Sequence, residues 1–478
     1  MKRTAMLLAI LLALSASSCG GDAPAADTTA VPGADSTTPA VTEPAYQLPK
    51  ADFGGREIRF FLGEERTRLH ATEETGDTVN DAIYQRNRKV EELYNCKFDY
   101  TTMPCAPGTW STWYSTLESS IMAGDNSVDI AGGYAYRFAA LSITSGLFQN
   151  LLDIPQINFD GAWWPGFVLD SARIGSKLFS AYGNIDPMFY DLLYALIFNK
   201  EMAEDLNLDF YGLVDSGTWT FAKLQEVAKL ATRDLDGNST LDDKDQWGFV
   251  TGNNMSVDSF NNAFDLEFIE YDKDGMPKLL PLSEKVADAC TMVKEFALKS
   301  QIAWYGLEAD KQPIFNEGRG LIMTNSLKDI QTMRDLETDF GIIPYPKWDK
   351  KQEDYYTRAS LGNAAAYCIP ITSDGEVCGT ILEALAYYGY EDMIPVYYEK
   401  ALKGKNTRDD ESIEMLDLIF NNVKYGFCDV YSYAFGDQKA PTMLMRMTIK
   451  KDTEIASTFE ADKQLYEETI ASLIDALK

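Results

Sequence analysis

Histidine is all but missing from this sequence: His70 is the only one among 478 residues. A Ser-His-Asp or Cys-His set, or a multi-histidine metal centre, would have to be built around that one imidazole. His70 lies in a charged stretch, Arg66-Thr-Arg-Leu-His-Ala-Thr-Glu-Glu74, which predicts an exposed surface side chain. Positive charge is scarce too, with 43 Lys and Arg against 73 Asp and Glu and a formal net charge of -30. Such a surface repels phosphate backbones and anionic headgroups, which argues against nucleic acid as a partner. No G-x-S-x-G, H-E-x-x-H, Walker A or C-x-x-C pattern occurs, so an enzyme reading has no motif behind it. Its strongest form is a secreted glycan-active hydrolase, whose two carboxylates flank the scissile bond; 73 acidic residues leave such a pair open.

What is present begins with Lys2 and Arg3, the apolar run Ala5 to Leu14, and the small residues Ser15-Ala-Ser-Ser-Cys19-Gly-Gly. This order predicts a secretory signal over residues 1–18, and the apolar run is too short for a membrane span. Cys19 after small residues resembles the bacterial lipobox, with Ala16 at the usual leucine place and Leu14 five residues before the cysteine. The resemblance implies cleavage before Cys19, acylation of its thiol, and anchoring on the outer face of the cell membrane. Residues 19–50 are rich in Ala, Thr, Pro, Asp, Ser and Gly and predict a solvated tether. Six further cysteines, Cys96, Cys105, Cys290, Cys368, Cys378 and Cys428, are scattered and are expected mostly as buried free thiols.

With 45% hydrophobic and 12% aromatic residues, the rest of the chain can bury more than one core. Strands are predicted at 58–63, 96–101, 128–131, 177–182, 192–199, 247–250, 320–323 and 340–343, with Gly132-Gly133 as the turn ending the third. Helices are predicted at 78–94, with Val79, Ile83, Val90 and Leu93 on the apolar face, at 113–122, at 221–231 and through the C-terminal third. Alternation of the two points to an α/β fold, in which ligands gather beyond the carboxyl ends of the strands.

Several stretches resemble the extracellular solute-binding proteins of family 1, the class related to maltodextrin-binding proteins. They are Gly76 to Tyr94, Leu196-Ile-Phe-Asn-Lys-Glu-Met-Ala203, Gly217-Thr-Trp-Thr-Phe-Ala-Lys-Leu224 and Phe340-Gly-Ile-Ile-Pro-Tyr-Pro-Lys347, followed by Tyr398 to Lys405 and Thr407 to Glu411. The resemblance implies a two-lobed periplasmic-binding-protein-like fold (type II) with a hinge, an interlobe cleft and a helical C-terminal part. One lobe would comprise residues 51–181 plus 319–373, the other 182–318 plus 374–478. It further implies capture of a small solute, above all a mono- or oligosaccharide, and delivery to ABC importer permease subunits by a monomer that is not an enzyme. A surface glycan-binding protein without a transporter shares the same chemistry.

Sugars need aromatic planes for their ring faces and carboxylate, amide or guanidinium groups for vicinal hydroxyls. Loop candidates are Glu64, Glu65, Arg66, Tyr134, Tyr136, Asn184, Asp186, Tyr190, Asn254, Asp258, Trp304, Tyr305 and Asn325. Each has a plainer role open to it, since buried rings are commonly core and Asn or Asp after a strand commonly caps a helix or turn. Trp219 reads as packing at a helix start, and Trp163-Trp164 as core or cleft rim. Residues 234–245 place oxygen side chains at positions 1, 3, 5, 7, 9 and 12 of a calcium-loop pattern. Asp234, Asp236, Asn238, Thr240 and Asp245 are the expected ligands of a structural calcium ion, although position 6 is Ser239 and position 12 is Asp rather than Glu.

Overall fold

The computed structural model describes residues 46–333, 336–362, 364–404, 407–436 and 438–478. The predicted signal, Cys19 and nearly all of the tether lie outside them. Eleven strands are described in the unit Leu48–Lys478: β1 (Arg56–Gly63), β2 (Cys96–Met103), β3 (Ile130–Tyr134), β4 (Tyr194–Asn199), β5 (Trp247–Gly252), β6 (Ile269–Tyr271), β7 (Pro277–Leu279), β8 (Ala303–Gly306), β9 (Gly320–Ser326), β10 (Phe340–Ile343) and β11 (Ala365–Cys368).

They form two open sheets and a small hairpin. The first sheet has the order β11-β3-β1-β2 and the second β10-β4-β9-β5-β8, while β6 pairs with β7. In the first, β1 is parallel to β2 and β3, and β11 runs antiparallel to β3. In the second, β5 is parallel to β8 and β9, and β4 is antiparallel to β9 and β10. The fold is thus α/β, with helices between parallel strands. Among the described residues, no helix is long and apolar enough to cross a membrane.

The Thr78–Tyr94 helix has the predicted ends because both are capped. Asp77 accepts from the backbone N–H of Val79 and Asn80, and Asn95 leaves the helix at φ 47°. Val79, Ile83 and Val90 are buried as expected, but Leu93 is 46% exposed, since Tyr94 takes the inward place at that turn. Gly132 and Gly133 are not a turn. They lie inside β3, where a Cβ on Gly133 would stand 2.3 Å from the Trp113 ring and one on Gly132 2.8 Å from both a Leu62 methyl and the Tyr367 ring. The glycines let large side chains lie on the strand itself.

The expected division of the chain needs two corrections. β9 and β10, placed with 319–373 in the first lobe, belong to the second sheet, and only β11 of that segment joins the first. β9 is buried along its whole length and pairs on both edges, which suits the middle of the larger sheet. Nor do residues 374–478 stay together. The Gly375–Tyr388 helix packs on the Thr78–Tyr94 helix beside the first sheet, whereas the Asp410–Asn421 helix packs on β10 and the Leu444–Lys451 helix on those at Met255–Ala263 and Glu284–Leu298. The predicted 177–182 strand is reduced to isolated bridges at Lys177 and Ala181.

Two segments link the sheets side by side, through the antiparallel bridges Ala181 to Tyr367 and Leu193 to Ala359. Asp186, buried between them, ties the loop after β1 to this linkage. Its carboxylate accepts from the Thr67 hydroxyl (2.7 Å), the backbone N–H of Arg68 (2.6 Å), Leu69 (3.1 Å) and Met188 (2.9 Å), and the Tyr367 hydroxyl (3.4 Å). The expected effect of Asp186→Ala is a loss of about 3 kcal/mol or more in urea unfolding, because several buried donors lose their acceptor at once. A loss below about 1 kcal/mol would show that the linkage does not depend on this carboxylate.

Candidate functional site

At the carboxyl end of the first sheet, the turn after β1 presents Arg66. It is held by the Cys105 carbonyl (3.0 Å) and the Gly362 carbonyl (2.6 Å), and its guanidinium lies 4.2 Å over the Tyr134 ring. Tyr134 ends β3 and is buried, while Tyr136, the next outward position, is half-buried 5.8 Å from it. Tyr433, brought in from the C-terminal part, meets Tyr136 edge to face at 5.7 Å, and Arg137 lies 5.1 Å over Tyr433. Three rings and two guanidinium groups therefore meet at one sheet end. Of these, Arg137 and Tyr433 escaped sequence reasoning; Arg137 directly follows a predicted residue, but nothing local marks Tyr433.

The carboxyl end of the second sheet is polar. After β5 comes exposed Asn254, whose amide oxygen accepts from Arg446, and then Asp258, fully buried with its carboxylate 3.1 Å from the same guanidinium. After β8, the buried Lys311 ammonium donates to Glu308 (2.6 Å) and to the Ser256 hydroxyl (3.3 Å). Tyr305 lies in this field: burial pushes its hydroxyl up to about 12, with Arg446 opposing and Asp258 and Glu308 adding to the rise. Burial likewise raises the Asp258 carboxyl to about 6, against the pull of Arg446 and Arg358. Neither Asp258 oxygen, nor Glu308 Oε1, nor Arg446 Nη2 has a hydrogen bond of good geometry. Asp258 and Arg446 meet as an ion pair with side chains 0% and 5% exposed. Ser256, Glu308, Lys311, Arg358 and Arg446 were not foreseen, because only tertiary contacts set them apart from the chain's other polar residues.

The segment 358–362 joins the two ends. Arg358 stands 3.4 Å from Asp429, four residues before Tyr433, while the Gly362 carbonyl receives Arg66. A separate cavity of about 390 Å³ is lined by Arg68, His70, Asp77 and Asn80 beyond β1, Gln331 beyond β9, and Tyr397. Its lining holds none of Tyr134, Tyr136, Tyr433, Asn254, Asp258 or Arg446. His70 lines it half-buried, with Nδ1 enclosed and unpartnered, rather than sitting on the open surface.

Other predicted residues are engaged internally. Asn184 donates to the Trp163 carbonyl (2.7 Å) and accepts from the Tyr190 hydroxyl (2.7 Å), and Tyr190 stacks on Phe420 at 4.6 Å. Asn325 is buried and turns its oxygen to the Ser326 N–H (3.1 Å). Glu64 is exposed, Glu65 accepts from the Cys105 N–H (2.7 Å), and Trp304 is half-buried beside Gly306. Trp219 is core, donating to the Pro344 carbonyl (3.0 Å), and Trp163 and Trp164 both donate to the buried Glu383 carboxylate (3.0 and 2.8 Å). All six described cysteines are buried and free.

The 234–245 loop brings three of its carboxylates together. Oxygen atoms of Asp234, Asp236 and Asp245 lie within 4.8 Å of one another, and the N–H of Ser239 donates to Asp234 (2.7 Å) from a left-handed φ of 67°, the conformation that glycine usually supplies at that position. The N–H groups of Ser239 and Gly237 hold the Asp234 carboxyl below its usual range. Three carboxylates so placed fit a hard divalent cation. Asn238 turns its oxygen to the Thr240 N–H (2.7 Å), and Thr240 is exposed.

The two sheets joined by paired crossings define a class of fold shared with known binding proteins. The structure is similar to ABC substrate-binding protein Lmo0181 from Listeria monocytogenes in complex with cycloalternan (TM-score 0.53, 12% identity, 87% of this chain and 99% of that one). It is also similar to a cyclo/maltodextrin-binding protein complexed with maltotetraose (0.56, 12%, 87% and 97%) and to an ABC transporter solute-binding protein from Thermotoga lettingae bound with alpha-D-tagatose (0.52, 12%, 87% and 100%). No curated protein matches the sequence. A family model for bacterial extracellular solute-binding proteins matches residues 92–385, more than half of the chain, and the protein belongs to that family.

Asp258 carries a pH signature. A carboxyl raised on folding stabilises the protein while protonated, fully so below about pH 4, and this stabilisation is lost as pH rises through about 6. The stability of Asp258→Asn relative to the parent should therefore improve between pH 4 and 7, by up to about 3 kcal/mol. A difference independent of pH would contradict the assignment.

Proposed function

We propose that this protein captures a small carbohydrate, a mono- or oligosaccharide, between two lobes and delivers it unaltered to the permease subunits of an ABC importer. The observation that carries the reading is the meeting of the Tyr134, Tyr136 and Tyr433 rings beside Arg66 and Arg137, together with the polar set of Asn254, Asp258, Tyr305, Glu308 and Arg446 at the other sheet's strand ends. Ring faces supply stacking area and the polar set takes hydroxyls, which is what a polyol with apolar faces requires. The carbohydrates bound by three structures of similar fold support the same solute class.

In this reading the lobes are built on the two sheets, the bridged segments at 181–193 and 357–367 are the hinge, and closure presents the loaded form. The protein acts as a monomer anchored through acylated Cys19, with no part in catalysis. A thermal-shift screen of mono- and oligosaccharides should find a ligand that raises Tm, because only the correct solute stabilises the folded state by mass action. Tyr136→Ala should weaken that ligand about tenfold, corresponding to one lost stacking contact of about 1.4 kcal/mol. Recovery of a cleaved sugar would favour the hydrolase instead, and binding of polymers alone would favour a surface glycan binder.

The 234–245 loop is proposed to hold a structural calcium ion through Asp234, Asp236, Asn238, Thr240 and Asp245. Calcium at about a hundred times its dissociation constant should add about 2.7 kcal/mol of stability, and Asp234→Ala with Asp236→Ala should abolish the gain. A parent Tm identical in calcium and in chelator would remove the ion from the account.

A further inference from the structure

The Met255–Ala263 helix, which follows β5, begins without the cap its sequence provides. Asn254 holds the N-cap position, where an asparagine side-chain oxygen ordinarily accepts from a backbone N–H two or three residues on, yet its side chain makes no such bond. Its amide oxygen accepts instead from Arg446 Nη1, which the Leu444–Lys451 helix brings to the β5 tip. Ser256, two residues on, is engaged elsewhere: its hydroxyl donates to Glu308 Oε2 (3.2 Å) and accepts from Lys311 (3.3 Å).

Arg446 is itself held. Its side chain is 5% exposed, and Nη2 lies 3.1 Å from Asp258 Oδ2, on a fully buried carboxylate one helical turn beyond Asn254. Swinging the guanidinium away would leave the buried Asp258 carboxylate without this partner, which is costly. A guanidinium offers only N–H donors, so the Asn254 amide can meet it only through oxygen; turned over, its NH2 group would set donors against donors. The NH2 group is therefore kept on the side away from Arg446, on a residue that is exposed at the strand tip.

An unrestrained asparagine gives or accepts by turning its amide over, and so takes a hydroxyl in either sense. One locked from behind can only give. We propose that Arg446 is a positioning residue that fixes Asn254 as an outward hydrogen-bond donor, and that the solute group read there is an acceptor oxygen, from a hydroxyl, a sugar ring or a glycosidic link. An ammonium or amide N–H brought to the same place is refused, because two donors would face each other. The reading of the solute rests on the capture function proposed above, whereas the locked amide stands on the geometry of Asn254, Arg446 and Asp258 alone.

The test begins on the full chain without solute. In protein labelled with 15N-asparagine, the Asn254 NH2 signal, identified by its loss in Asn254→Asp, should exchange with water at the rate of an exposed amide. Exchange slower by about tenfold or more, as for an NH2 group turned inward, would overturn the proposal. Arg446→Lys, which also offers only donors, should keep the fast exchange. Arg446→Gln with Asp258→Asn removes both charges of the pair and sets an acceptor beside the amide, and should slow it; identical exchange in the two variants would overturn the positioning role. Isothermal titration with maltotetraose and D-tagatose, an oligosaccharide and a monosaccharide probe, then tests the reading of the solute. For a probe that binds, Asn254→Asp keeps an oxygen toward Arg446 but replaces the outward NH2 with a second oxygen, and should weaken affinity by about tenfold or more with no loss of Tm. Equal affinity would overturn the acceptor assignment. Binding of neither probe to the parent would count against capture of these sugars, and the exchange rate would still decide the locked donor.

Discussion

The architecture turns on a buried carboxylate at the junction of the two sheets. Asp186 receives donors from the loop after β1, from the crossing segment itself and from Tyr367 of β11, so the tip of the first sheet cannot shift relative to the crossing without stranding several of them. Arg86 adds a second tie of the same kind, donating from the Thr78–Tyr94 helix to the Ile185 carbonyl (2.9 Å) and the Leu385 carbonyl (3.1 Å). Arg66 and the rings beneath it inherit their position from these anchors. Asp186, expected as a solute contact, has its carboxylate engaged inside the protein.

The opposite face works by unmet demand. Asp258, Arg358, Asp429 and Arg446 are all nearly or fully buried, and their mutual ion pairs leave several oxygen and nitrogen atoms without hydrogen bonds of good geometry. Desolvation outweighs the attraction for Asp258, which is why its carboxyl titrates near 6 instead of in the usual carboxylate range. Such a cluster of buried charges is expensive in folding terms and is held by its mutual ion pairs.

Legibility in the sequence followed how local each signal was. The helices at Thr78–Tyr94 and Phe221–Ala231 were readable to the residue, since Asp77, Asn95 and Thr220 are caps whose chemistry acts within a few residues. The 234–245 segment turns back on itself through short-range contacts too, with Asp234 accepting from the Gly237 and Ser239 N–H groups. Gly132-Gly133 misled because glycine signals a turn by default, and only the Trp113 and Tyr367 rings across the sheet explain its place in a strand. β9 and β10 were recognised as strands but given to the wrong sheet, as an apolar run carries no record of which edge it will pair with.

From residue order alone came the α/β class, the family resemblance, the acidic surface and the loop positions of Arg66 and Asn254, whereas Tyr134 ends a strand and Tyr136 and Asp258 lie in the first turns of helices, not in the loops expected for them. These depend on periodicity, composition and short-range caps, which the chain carries wherever it folds. Tertiary structure decided which of them meet, bringing Tyr433 to Tyr136 and Arg446 to Asp258 across 297 and 188 residues, and turning Asn184, Asp186 and Tyr190 inward. The physical reason is that burial and pairing are properties of neighbours in space, and neighbours so distant in sequence are chosen by the packing of whole sheets and helices.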